Sequence, residues 1–112
     1  MGRRFALHRG ELEIKNVRAI VKQEGTNEFY YNVTGIVTNK GENPWRVQQL
    51  ELTITNSEGA VDVTHTSPSA SFVVQPHTEH EFLLHAWTRL TNTVVAAKAR
   101  VDTARDGNMP SD

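Results

Sequence analysis

EFYYNVTGIVTN (Glu28–Asn39) is the stretch on which the reading of this chain turns. It separates into two alternating sets, Phe29, Tyr31, Val33, Gly35 and Val37 against Tyr30, Asn32, Thr34, Ile36 and Thr38. Alternation is the signature of a β-strand, whose successive side chains point to opposite faces. The first set is the more apolar and is assigned inward. The strand then runs into Asn39-Lys40-Gly41-Glu42-Asn43-Pro44, a polar stretch before Trp45. Gly41 is free to take positive φ and Pro44 has no N–H for a central ladder, so this stretch reads as a connector between strands.

The same period extends in both directions. LEIKNVRAIVK (Leu12–Lys22) places Leu12 and Ile14 inward, then Val17, Ala19 and Val21. The parity changes near Asn16, which predicts a β-bulge. WRVQQLELTIT (Trp45–Thr55) slips in the same way: Trp45 and Val47 keep one parity, Leu50, Leu52 and Ile54 the other. Shorter runs follow at Ala60–His65 and Ser71–Val74. TEHEFLLHAW (Thr78–Trp87) puts His80, Phe82, Leu84 and Ala86 inward and leaves Leu83, His85 and Trp87 outside. The final run, Val95, Ala97, Ala99 and Val101, is alanine-rich, so a short helix over 93–102 competes with a strand; its β-branched flanks favour the strand. Turn residues punctuate the runs, and Asn56-Ser57-Glu58-Gly59 has the Asn-first, Gly-fourth order of a type I turn.

About seven short strands with turns this frequent predict an all-β fold, an immunoglobulin-like antiparallel β-sandwich. At 112 residues the chain is one domain. Its expected bounds are 10–103, with 1–9 and 104–112 read as flexible termini.

Composition narrows the function classes. The formal net charge of −1 provides no field to draw nucleic acid or an anionic membrane. Lys15, Arg18 and Lys22, and Arg46 and Arg89 beside tryptophans, are interleaved with acids and read as solvated faces rather than a nucleic-acid stripe. The absence of cysteine excludes disulfides and thiolate metal sites. Apolar runs such as Phe82–Leu84 are far shorter than the ~20 residues of a membrane span, so membrane insertion by this segment is not expected. MGRRFALHRG (Met1–Gly10) lacks the apolar core of a signal peptide.

VTGIVTNKGENPWRVQQLELTITNSEG (Val33–Gly59) resembles the FxLYD-type domains, immunoglobulin-like modules of bacterial and archaeal envelope proteins. The shared frame is Val33-x-Gly35-x-Val37-x-Asn39, a loop, and a strand ending in an acidic turn at Gly59. The naming pentapeptide falls on Leu52-Thr53-Ile54-Thr55-Asn56, with Leu, Ile, Thr and Asn standing for Phe, Leu, Tyr and Asp. A Pro-Gly step of the family falls on Pro76-His77, and the resemblance spans Leu12 to Phe82. It implies a non-catalytic accessory or protein-interaction module, tethered to a membrane and facing the periplasm or exterior. Without the resemblance, a cytoplasmic module is the expectation.

The chemistry-bearing residues support no catalytic, cofactor or metal site. His77-Thr78-Glu79-His80 offers imidazole and carboxylate, but residues three apart on an extended chain diverge. No Gly-x-Ser-x-Gly elbow and no thiol is present, and each glycine is isolated, so neither an enzyme nor a phosphate loop is expected. Trp45 has inward parity and is assigned to the core. Trp87 has outward parity, and if the strands of Glu28–Asn39 and Thr78–Trp87 are neighbours, Tyr30, Ile36, Leu83 and Trp87 share one surface. These four are the candidate interaction patch, for a protein partner or for self-association. The alternative is a small carbohydrate- or ligand-binding sandwich that stacks its ligand on exposed aromatics such as Trp87.

Overall fold

A computed structural model of the chain describes residues 4–88 and 94–108. Arg89, and the outermost residues of both predicted termini (1–3 and 109–112), lie outside these described residues. Seven antiparallel strands make two sheets, the immunoglobulin-like sandwich expected from the alternation. They are β1 (Leu12–Gly25), β2 (Glu28–Asn39), β3 (Trp45–Asn56), β4 (Val61–Thr66), β5 (Phe72–Val74), β6 (Glu79–Thr88) and β7 (Val94–Asp106). One sheet has the order β1-β2-β6. In the other, β3 is central, with β4 and β5 along one side and β7 along the other.

The inward parities become the core. Tyr31, Val33, Val37, Trp45, Leu50, Leu52, Ile54, Val74 and Leu84 are fully buried between the sheets. Gly35 lies opposite Phe82, and a Cβ at this position would come within 2.6 Å of the Phe82 ring, so the missing side chain is what lets that ring lie across β2. Both predicted bulges are present. The β1–β2 register shifts between Lys15 and Arg18, with Asn16 at φ 57°, a left-handed conformation that Asn tolerates. The β3–β7 register shifts on both sides of Gln49.

The last run is a strand, but Val95 does not point inward. A further register shift near Asn56 turns Val94 toward the core and leaves Val95 62% exposed. Packing also continues outside residues 10–103. Two 3-10 turns, Phe5–Leu7 and Arg9–Glu11, precede β1, Phe5 is buried, and β7 runs on to a buried Asp106.

The turns follow the local chemistry. Asn56 O accepts from Gly59 N–H, and Gly59 takes φ 83°. Between β5 and β6, Thr78 N–H donates to Gln75 O across Pro76-His77, and His77 adopts φ 58°. Proline second and positive φ third is the type II pattern, in which Gly or Asn is the usual third residue. Between β4 and β5, Ser69 N–H donates to Leu83 O on the edge strand β6.

Candidate interaction face

Strands β2 and β6 pair along their length, so the outward residues of both lie on one face with β1 beside them. The register arranges this face in rows across the three strands. At one end, Glu13, Thr38 and Glu79 form a row, followed by Lys15, Ile36 and Glu81. Next come Arg18, Thr34 and Leu83, then Ile20, Asn32 and His85, and finally Lys22, Tyr30 and Trp87.

The charged end is a lattice of ion pairs. Lys15 meets Glu79, Thr38 Oγ1 donates to Glu79 at 3.0 Å, and Lys40 reaches Glu13 at 2.8 Å. The Lys15 ammonium, followed by the Thr38 hydroxyl, holds the Glu79 carboxyl below the ordinary carboxylate range, and Lys40 does the same for Glu13.

The other end is aromatic. Tyr30 and Trp87 are direct cross-strand partners, with ring centroids 5.7 Å apart and ring planes at 69°. His85 meets Tyr30 edge-to-face at 5.6 Å and 68°. Trp87 is 63% exposed and Leu83 42%. Of the four residues singled out in the sequence, Tyr30 and Trp87 are in ring contact. Ile36 and Leu83 sit toward the charged end, where they line a separate open groove with Thr34 and Glu81. Two residues of the aromatic end were not among those four. His85 carries the same outward parity as Trp87, and Ile20, 55% exposed, belongs to the outward set of β1 once the bulge is counted.

The ring geometry bears on a carbohydrate ligand. Sugar rings stack on flat aromatic faces, whereas Tyr30 and Trp87 meet at a steep angle and form a corner. Tyr30, His85, Trp87, Ala86 and Glu24 enclose a dent of about 260 Å³ there.

The histidines are engaged separately. His77 Nε2 lies 2.6 Å from Glu42, while His80 stacks on Phe72 with centroids 4.2 Å apart. His8 pairs with Glu11 at 2.5 Å. His65 joins a cluster on the outer face of the other sheet, where Glu51, His65 and Asp102 bring potential ligand atoms within 4.8 Å of one another. The cation at that cluster is Arg100, whose Nε and Nη2 each donate to Glu51 at 2.9 Å and whose Nη2 is 4.0 Å from Asp102. Arg100, with His65 adding to it, lowers the Glu51 carboxyl to about 2. A metal ion would have to displace that guanidinium.

The connector before Trp45 is built on buried amides. Asn39 Nδ2 donates to the carbonyls of Asn43 and Val74, and Asn39 Oδ1 accepts from Gly41 N–H. Asn43 Nδ2 reaches Pro44 O and Asp106 Oδ1. Gly41 does not use positive φ; the Glu11 carboxylate lies where a Cβ would project. That same carboxylate accepts from Trp45 Nε1 at 3.1 Å, and Phe5 closes over the indole edge-to-face. At the opposite end, Tyr31 OH donates to Asp62 at 3.1 Å beside the Thr88 hydroxyl, joining β2, β4 and β6. Burial, reinforced by the Asp62 carboxylate, raises the Tyr31 phenol above its ordinary value.

No protein-family model matches this chain, and no curated protein matches it. Solved structures are similar to it at low identity. One, an X-ray structure of a Northeast Structural Genomics Consortium target, has a TM-score of 0.52 at 9% identity, over 83% of this chain and 88% of that one. A putative ApaA protein from Bordetella pertussis has a TM-score of 0.46 at 14% identity, over 80% and 92%. A DUF1425 family member from Shewanella sp. pv-4 has 0.44 at 15%, over 90% and 81%. The first of these likenesses supports the fold and assigns no activity. Among the described residues, no helix is long and apolar enough to cross a membrane.

Proposed function

We propose that this domain is a non-catalytic interaction module that holds a protein partner on the outer face of the β1-β2-β6 sheet. The observation that carries the reading is the Tyr30–Trp87 pair, an aromatic contact fixed by strand register yet open to solvent. Rigid Trp and Tyr side chains supply large contact area at low entropic cost, and they dominate binding energy where they are buried by a partner. An envelope-associated accessory role follows from the FxLYD-like frame, Val33-x-Gly35-x-Val37-x-Asn39. Its Asn39 is the buried amide that organises the connector, and its Gly position at residue 77 takes positive φ here.

The test places a photo-crosslinking residue at position 87 and, separately, at position 53 on the outer face of the opposite sheet. Both variants are crosslinked in cells and the products compared by mass. A defined adduct from position 87 alone, removed by Leu83→Ser or Tyr30→Ser, is the expected result. Equal adducts from both positions, or none from position 87, would reject the reading.

A further inference from the structure

We infer that the aromatic corner is a receptor for an organic cation, the ammonium of a lysine or the guanidinium of an arginine projecting from the partner. The inference rests on the proposal that this face binds a protein, and it names the group that is bound.

The argument starts from the shape. Tyr30 presents its ring at 69° to Trp87 and 68° to His85, and all three residues line the dent. An aromatic ring carries partial negative charge on its faces, and walls set at steep angles bring more than one ring to bear on a single compact cation. Indole is the strongest of these faces, and Trp87 is 63% exposed.

The charge around the dent points the same way. Its charged lining residue is a carboxylate, Glu24, at the end of β1. A hydrophobic anchor would gain nothing from Glu24, and an anion would meet it as a like charge. Lys22, across from Tyr30 on β1, is the chain's own cation in this row. Its contribution is repulsive toward an incoming cation, and removing it strengthens binding if the inference holds. The dent, about 260 Å³, is large enough for one ammonium or guanidinium with its adjoining methylenes.

The experiment uses the full chain and three blocked tripeptides, Gly-Lys-Gly, Gly-Arg-Gly and Gly-norleucine-Gly, titrated by NMR with the Trp87 indole N–H as reporter. Norleucine has nearly the shape of lysine without the charge. The lysine or arginine peptide should shift the reporter with an affinity at least about fivefold that of norleucine, the scale of an exposed cation–π contact. Glu24→Gln should erase much of that preference, and Lys22→Gln should enlarge it. Norleucine binding as well as lysine would overturn the cation inference while leaving the interaction face standing, because the crosslinking test reads that face independently. A reporter that moves with none of the three peptides would overturn it too.

Discussion

The two tryptophans mark the two ends of the sandwich, and their surroundings differ in kind. Trp45 is fully buried: its Nε1–H is held by Glu11, and Phe5 and His8 lie against its ring. Asn39, Asn43 and Asp106 lock the chain around that end. Trp87 has one close cross-strand ring neighbour, Tyr30, and stands open. Along β2, Asn39 at the closed end and Tyr30 at the open end are about 30 Å apart at the usual rise of a strand. The same residue type therefore serves the core at one end and the surface at the other. What separates the two is whether another segment of the chain crosses over the ring.

The largest effect should come from exchanging the tryptophans for alanine one at a time. Trp45→Ala is expected to cost about 3–5 kcal/mol in urea denaturation, as for other large buried aromatics. Trp87→Ala should move stability by no more than about 1 kcal/mol. Similar losses for both would erase the distinction between the ends and turn β6 inside out.

Asn39→Ala asks whether the closed end depends on its amides. It removes two donors and one acceptor from buried backbone groups, at an expected cost of about 1–3 kcal/mol. A change within a few tenths of that of an exposed site such as Thr34→Ala would show that solvent replaces those bonds.

His77→Gly sharpens the comparison in the stabilising direction. His77 holds φ 58° near the closed end, a conformation that costs a non-glycine residue roughly 1 kcal/mol. Relief of that strain should outweigh the exposed pairing with Glu42, raising stability by up to about 1 kcal/mol. A lower melting temperature would mean the His77–Glu42 contact matters more than the backbone.

The smallest effect belongs to the exposed cluster on the other sheet and appears only in acid. Glu51 has its carboxyl lowered from 4.5 to about 2 by Arg100. A lowered carboxyl contributes stability that is complete above its unfolded value and lost as pH falls through the folded one. The stability difference between wild type and Glu51→Gln should therefore be constant near neutrality, shrink below about pH 4.5 and be largely lost by pH 2. A difference that persists at pH 2 would assign the effect to packing rather than charge.

Most of the fold was legible because period two is written in individual residues. The Asn16 and Gln48-Gln49 slips could be placed from parity alone, since a bulge exchanges inward for outward on one side of it. Val95 escaped for the same reason: a shift at the Asn56 end falls among residues of like character, Val94 and Val95, and leaves no parity mark. The cover over Trp45 was not legible at all. Phe5 and Glu11 meet it across more than thirty positions, and contacts that distant leave no periodic trace in the sequence. At the open end, the outward parity of Trp87 and Tyr30 was readable, but the angle between their rings depends on side-chain torsions that no pattern encodes.

The bond from Ser69 to Leu83 bears on how this protein could assemble. β6 is a ten-residue edge strand, and an unguarded edge of that length is a template on which identical chains add one after another into filaments. The Ser69 N–H already occupies the Leu83 carbonyl midway along that edge, and Pro68 immediately before it has no N–H to offer an incoming strand. Strand addition along β6 is therefore obstructed at its centre, which leaves the sheet face rather than this edge as the accessible approach to Trp87.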